Sequence, residues 1–271
     1  MNINRKLKSC VLFFGPIIFN CVIWGCSKDN SESVESYDFP QIESVHGKYL
    51  FSKEEHTVIS NVGGTAFFQF NGNRPSKRIG GYLSVPTAGG FSGLYTSEIY
   101  DIVQYNPSNT ITLLSKDYIN AADIPPGKRE IIMKNGLIIQ KITYDEVTTQ
   151  LNADTMHYLY DTKKRLIKTE QYFKHAIINR EFTFDTNDNL QRIYTVKKSR
   201  INDLTYYTME ELFGGYDNKP NPLKGQTLWP DLLYRTLSKN NFTTYSFTSG
   251  TNAETKNWTL TYNNGNVDFS K

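Results

Sequence analysis

Tyr158-Leu159-Tyr160-Asp161-Thr162-Lys163-Lys164-Arg165-Leu166 aligns with Phe182-Thr183-Phe184-Asp185-Thr186-Asn187-Asp188-Asn189-Leu190 at a spacing of 24 residues. In each copy two aromatics two residues apart share one face of a strand. An Asp then offers its carboxylate to the turn backbone, and a Leu restarts an apolar run. The unit is a strand, a turn and a returning strand, which places neighbours in the chain antiparallel to one another. Trp258-Thr259-Leu260-Thr261-Tyr262-Asn263-Asn264-Gly265-Asn266-Val267 is a third copy, one residue shorter in its turn, and Tyr144-Asp145 and Tyr216-Asp217 are fainter echoes.

Away from the repeat the same short period persists. Strands are predicted at 48–52, 66–71, 99–105, 110–115, 129–133, 137–144 and 242–249. Asn106-Pro107-Ser108-Asn109 supplies turn chemistry, and Asn135-Gly136 is the strongest hairpin signal, since a type I′ turn needs positive φ twice. No long stretch keeps a helical period. The exception is a short helix near residues 229–238, with Pro230 at its start and Leu233 and Leu237 on one side, which suits a plug against the sheet. The fold class is all-β, in one domain over 46–271, since no Pro/Gly/Ser-rich linker divides it.

The repeat resembles the YD-repeat pattern, in which Tyr-Asp precedes a short turn with Gly and a Leu-bearing strand. Lys164 and Asp188 stand where that pattern has Gly, and Gly265 keeps it. In overall plan the chain is similar to the bacterial lipoproteins of unknown function described as having a porin-like fold. The shared features are the amino-terminal signals below, the hairpins, and a late segment, Tyr216-Asp217-Asn218-Lys219-Pro220-Asn221-Pro222. That resemblance implies a long, curved antiparallel meander, open or half-barrel, and lends no activity.

Cys10, Cys21 and Cys26 are the only cysteines, so the body has no sulfur for a disulfide, a thiolate zinc site or a cysteine nucleophile. Residues 1–25 read as a signal peptide, with Arg5, Lys6 and Lys8 before an apolar run from Cys10 to Trp24 that is too short to span a bilayer. The run ends in Val22-Ile23-Trp24-Gly25-Cys26, which resembles a lipobox, Trp24 being bulkier than usual at its place. The resemblance implies cleavage before Cys26, acylation of its sulfur with palmitate-type chains, and anchoring to a membrane. Lys28-Asp29 and the acidic residues after it resemble the export signal that sends some Gram-negative lipoproteins to the outer face of the outer membrane. Residues 26–45, poor in apolar side chains and rich in acids, read as an acidic tether.

Charge narrows the partners. The formal net charge is +3, and Arg5, Lys6 and Lys8 supply the whole excess. A balanced body lacks the field that nucleic-acid binding rests on, so no nucleic acid is expected. His46, His56, His157 and His175 lie outside any metal or triad spacing, Gly90-Phe91-Ser92-Gly93 lacks a residue of the nucleophile elbow and leaves Ser92 a loop serine, and no Gly-rich phosphate loop is present. Gly63-Gly64 and Gly80-Gly81 suit bulges and close approaches. No catalytic residue, metal or cofactor is assigned.

Two surfaces remain. Aromatics make up 14% of the chain and invite glycan stacking, although their alternation places most of them in a core. The segment 163–200 holds ten basic and four acidic residues, and Lys163, Lys164, Arg165, Lys197, Lys198 and Arg200 suit an anionic glycan or lipid headgroup. The sequence thus points to a lipid-anchored outer-membrane or cell-surface protein, non-enzymatic, acting as a binding or structural module with a glycan or an envelope protein as partner. The alternative is a surface lipoprotein that captures or hydrolyses polysaccharide.

Overall fold

Antiparallel pairing runs without a crossover through the main sheet of the computed structural model, which describes residues 39–51, 64–87, 90–117, 123–144 and 153–271. The strands are β1 (Ser44–His46), β2 (Thr65–Asn71), β3 (Arg74–Thr87), β4 (Gly90–Asn106), β5 (Thr110–Asp117), β6 (Asp123–Lys134) and β7 (Leu137–Tyr144). They continue with β8 (Asp154–Tyr160), β9 (Leu166–Tyr172), β10 (Ala176–Phe184), β11 (Leu190–Ser199), β12 (Thr205–Gly214), β13 (Thr244–Ser249) and β14 (Asn252–Asn257). Each pairs with its neighbours in the chain, giving one 14-stranded meander in sequence order. The all-β class and the meander are as the sequence predicts. The single α-helix among the described residues, α1 (Leu233–Thr236), follows a 3-10 turn at Pro230–Leu232, within the predicted helical segment.

The sheet curls, and the side chains show why. Phe68 of β2 lies 5.7 Å from the Trp229 ring, and Phe213 of β12 lies 5.7 Å from the Tyr234 ring. These strands are ten places apart, about 48 Å in a flat sheet at the usual strand spacing. Trp229 and Tyr234 are separated by little more than one helical turn, so only a sheet wrapped around 229–236 brings both strands to them. Burial alternates along the strands accordingly. In β10, Ala176, Ile178, Arg180 and Phe182 face in, and Asn179, Glu181 and Thr183 face out. Phe51, Phe213, Tyr234, Phe242 and Tyr245 form a cluster of ring contacts on the concave side.

Some predicted elements differ. Of the predicted strand 48–52, residues 48–50 are not extended pairing partners: β1 ends at His46, and Gly47–Tyr49 closes a 3-10 turn in which His46 Nδ1 accepts from the Lys48 amide. Tyr49, Leu50 and Phe51 are consecutively buried, which a strand with two different faces does not allow. The body also takes in residues at the end of the predicted tether: Phe39 is buried, and Val45 pairs with Ala66. The third repeat copy is not a hairpin of the main sheet. It forms only β15 (Tyr262–Asn263) and β16 (Asn266–Val267), because the Trp258 amide donates to Thr243 O and its indole to Lys48 O. Ser92 is a strand residue of β4, paired with Val85, and not a loop serine.

Candidate functional site

The two repeat turns are conformational copies. Asp161 Oδ1 accepts from the amides of Lys163 and Arg165, both at 2.9 Å, and Asp185 Oδ1 accepts from those of Asn187 and Asn189 at 2.8 and 2.9 Å. Lys164 has φ +61° and Asp188 φ +62°, the left-handed backbone at the two places where the YD pattern has Gly. Tyr158 and Phe182 are buried in the core. Half-buried Tyr160 donates to Ile138 O at 2.8 Å, and the Arg165 guanidinium lies 5.2 Å from the Phe184 ring centre.

Side by side at one end of the sheet, the turns form part of a cleft of about 220 Å³. Leu137, Ile138, Leu166 and Leu237 give it apolar walls, and Lys163, Lys164, Arg165 and Lys224 give it positive charge against the single carboxylate of Asp188. Arg165 is committed, 2.7 Å from Asp161 and 3.0 Å from Asp188. The Arg165 amide, its guanidinium and the Lys163 amide hold the Asp161 carboxyl below its ordinary value, and the hydrogen bond to Asp161 raises Arg165. Lys163 approaches Asp188 only to 3.8 Å, while Lys164 and Lys224 hold no ion pair among the described residues.

The basic segment is split by the fold. Lys163, Lys164 and Arg165 sit at the cleft, and Lys197, Lys198 and Arg200 sit by the β11–β12 turn, at the far end of a ten-residue strand and so about 30 Å away. Those distal cations are engaged locally. Lys198 is 3.4 Å from Asp203, Arg200 donates to Phe173 O, and Lys197 lies over the rings of Phe173 and Tyr207. Beside them Ile201 is 80% exposed. Sequence reasoning missed Lys224, whose place at the cleft follows from the loop before α1 folding back; Asn221 Nδ2 donates to Arg235 O and Ser238 O there.

Solved structures similar to the chain include two porin-like proteins. One is a porin-like protein from Bacteroides uniformis, at 14% identity over 75% of this chain and 80% of that one, with a TM-score of 0.44. The other is a porin-like protein from Bacteroides vulgatus, at 8% identity over 78% of this chain and 87% of that one, with a TM-score of 0.49. No family model and no curated protein matches the sequence.

Cys26, Lys28 and Asp29 lie outside the described residues, as does His56. Among the described residues no three His, Cys, Asp or Glu side chains converge as a metal-binding set. His46 is capped onto the Lys48 amide, with its imidazole lowered by burial and then by Lys48, and His157 packs edge-on to Tyr172.

Proposed function

We propose that this is a lipid-anchored envelope protein, acylated at Cys26 and exported through Lys28 and Asp29, whose body works in water as a non-enzymatic binding or structural module at the outer membrane or cell surface. The observation that carries this reading is the polarity of the sheet's two faces. Outward positions carry ion pairs, Lys128 to Glu130 at 2.7 Å, Lys168 to Glu170 at 2.8 Å and Arg192 to Glu210 at 2.5 Å, while the concave face is filled by the chain's own Trp229 to Tyr245. Ion pairs at outward positions do not suit the apolar outer band of a membrane-spanning barrel, and a filled concave face leaves no open lumen.

The polysaccharide-hydrolysis alternative calls for an exposed Trp or Tyr beside two carboxylates. Trp229 is fully buried and Trp258 packs on Phe242, the exposed Tyr262 meets the one carboxylate of Asp217, and the cleft lining offers Asp188 as its one carboxylate. The deciding experiment is metabolic labelling with a palmitate analogue followed by membrane fractionation. The wild-type protein is expected labelled and in the membrane pellet, and Cys26→Ser unlabelled and released. Label-independent retention of Cys26→Ser in the pellet overturns the proposal.

A further inference from the structure

We infer that the cleft between the repeat turns and the 224–227 loop binds the phosphate of an anionic phospholipid headgroup, an inference that rests on the tether reading above. Three features converge on it. The first is spare charge. Asp161 Oδ1 and Asp185 Oδ1 accept from the turn backbones, Arg165 answers both Asp161 Oδ2 and Asp188, and Asp217 accepts from Asn241, Lys219 and Tyr262. The ammonium groups of Lys164 and Lys224 are left at the rim of the cleft with no acid to neutralise them among the described residues. Lysine serves phosphate as a compact point charge.

The second feature is size and lining. At about 220 Å³ the cleft is smaller than the pockets that enclose drug-sized ligands, and suits one small polar group. Leu137, Leu166 and Leu237 give that group an apolar wall on which a glyceryl unit can lie.

The third feature is position. Gln226, in the loop that bears Lys224, donates through Nε2 to Pro40 O at 3.1 Å, and the Phe39 amide donates to Asn73 O at 3.4 Å in the β2–β3 turn. Phe39 and Pro40 thus lie beside the cleft and at the same end of the sheet. Between Cys26 and Phe39 the backbone spans at most about 45 Å even when fully extended. That reach exceeds the length of β11, which separates the two ends, so the tether alone leaves either end free to meet the headgroups and the lysines of the cleft make the choice. Headgroup capture then supplements the acyl anchor and fixes which end of the sheet faces the bilayer.

The test uses the full chain carrying Cys26→Ser, which removes acylation, with and without Lys164→Asn/Lys224→Gln. Asn is chosen because it tolerates the left-handed backbone of position 164. Partition onto phosphatidylglycerol vesicles is expected to fall about 30-fold in the doubly neutralised variant, at about fivefold per lysine near an anionic surface. Partition onto phosphatidylcholine vesicles is expected to be unchanged, and Lys197→Gln/Arg200→Gln is expected to bind phosphatidylglycerol like its parent. Equal binding of parent and Lys164→Asn/Lys224→Gln to phosphatidylglycerol overturns the proposal. Lysine-dependent binding of glycerol phosphate without lysine-dependent vesicle binding also overturns it, by assigning the cleft to a soluble phosphate. Palmitate labelling of the unaltered protein reads the anchor separately, so failure of the anchor and failure of the cleft give different results.

Discussion

Arg235 is 2% exposed and has no carboxylate partner among the described residues. Its Nε donates to Tyr49 O and its Nη1 to Phe242 O, and its guanidinium lies 4.0 Å from the Phe242 ring and 4.4 Å from the Trp258 ring. Burial pushes its pKa down to about 9, so the cation is held by carbonyl oxygens and ring faces in place of a counter-ion. Arg235→Ala removes two donors and the wall between three chain segments, and is expected to cost about 3–5 kcal/mol in urea unfolding. A loss below about 1 kcal/mol would mean that the cage is ornamental. Glycine supplies a sharper contrast at the same scale. Gly80 sits at a β-bulge with φ +89°, where an added Cβ meets Tyr95 Oη at 2.3 Å and Thr65 O at 3.3 Å, whereas at Gly72, φ +59°, it meets nothing within 4 Å. Gly72→Ala therefore bears only the backbone cost, about 1 kcal/mol. Gly80→Ala adds the displacement of a buried tyrosine and is expected to be clearly the worse in the same assay.

Between elements, the Arg78 to Asp231 pair joins β3 to the turn before α1. Arg78 Nη1 donates to Asp231 Oδ1 at 2.9 Å and Nη2 pairs with Oδ2, both side chains being buried. Burial works against the Arg78 charge, but Asp231 and then Asp101 outweigh it and hold the guanidinium above its ordinary value. Removing one member strands the other charge in the interior, so Arg78→Met or Asp231→Leu alone is expected to cost about 3–5 kcal/mol, and Arg78→Met/Asp231→Leu to recover most of the loss. Additive losses in the double-mutant cycle would refute the coupling. The sequence does not reveal this pair, because its members lie 153 residues apart. The hairpins β8–β9 and β10–β11 were legible, since an Asp at the turn and alternating apolar residues are local signals. The β3–β4 hairpin was only partly so: Gly80, Gly81, Pro86 and Gly93 interrupt its alternation, while the curl of the sheet accepts a bulge at Gly80. The cleft was half legible. Its repeat-turn lysines stood out as a basic run, but Lys224 reaches them only through tertiary folding, and the fold sends Lys197, Lys198 and Arg200 to the opposite end.

At the scale of the whole body, buried and half-buried tyrosines on and beside the sheet make stability fall in alkali. Burial raises Tyr105, Tyr160 and Tyr216, and burial together with the hydrogen bond to Glu130 pushes Tyr144 up to about 12. In the unfolded chain these groups ionise near pH 10. The stabilisation from keeping them protonated is therefore complete below about pH 10 and is lost as pH rises towards 12. Unfolding free energy and tyrosinate absorbance are expected to change together over that window; ionisation of all tyrosines near pH 10 with no loss of stability would contradict the burial. The body's other global feature is its seam, where the sheet does not close strand on strand. Residues 258–271 cross it instead. The Trp258 indole donates to Lys48 O at 2.8 Å, the His46 amide donates to Phe269 O at 2.7 Å, and the Phe269 ring stands edge-on to Tyr49 at 5.0 Å. Trp258 and Phe269 both lie against Arg235, so they act as one clasp tying β1 to the opposite edge of the meander. Trp258→Ala and Phe269→Ala are each expected to cost about 3–5 kcal/mol, and the double variant less than their sum, because the first loss already opens the shared cage. Amide exchange should quicken first in β1 and residues 47–51 and leave β8–β11, anchored by their own turns, protected. Uniform acceleration across the sheet would show instead that the segment stabilises the body without clasping its seam.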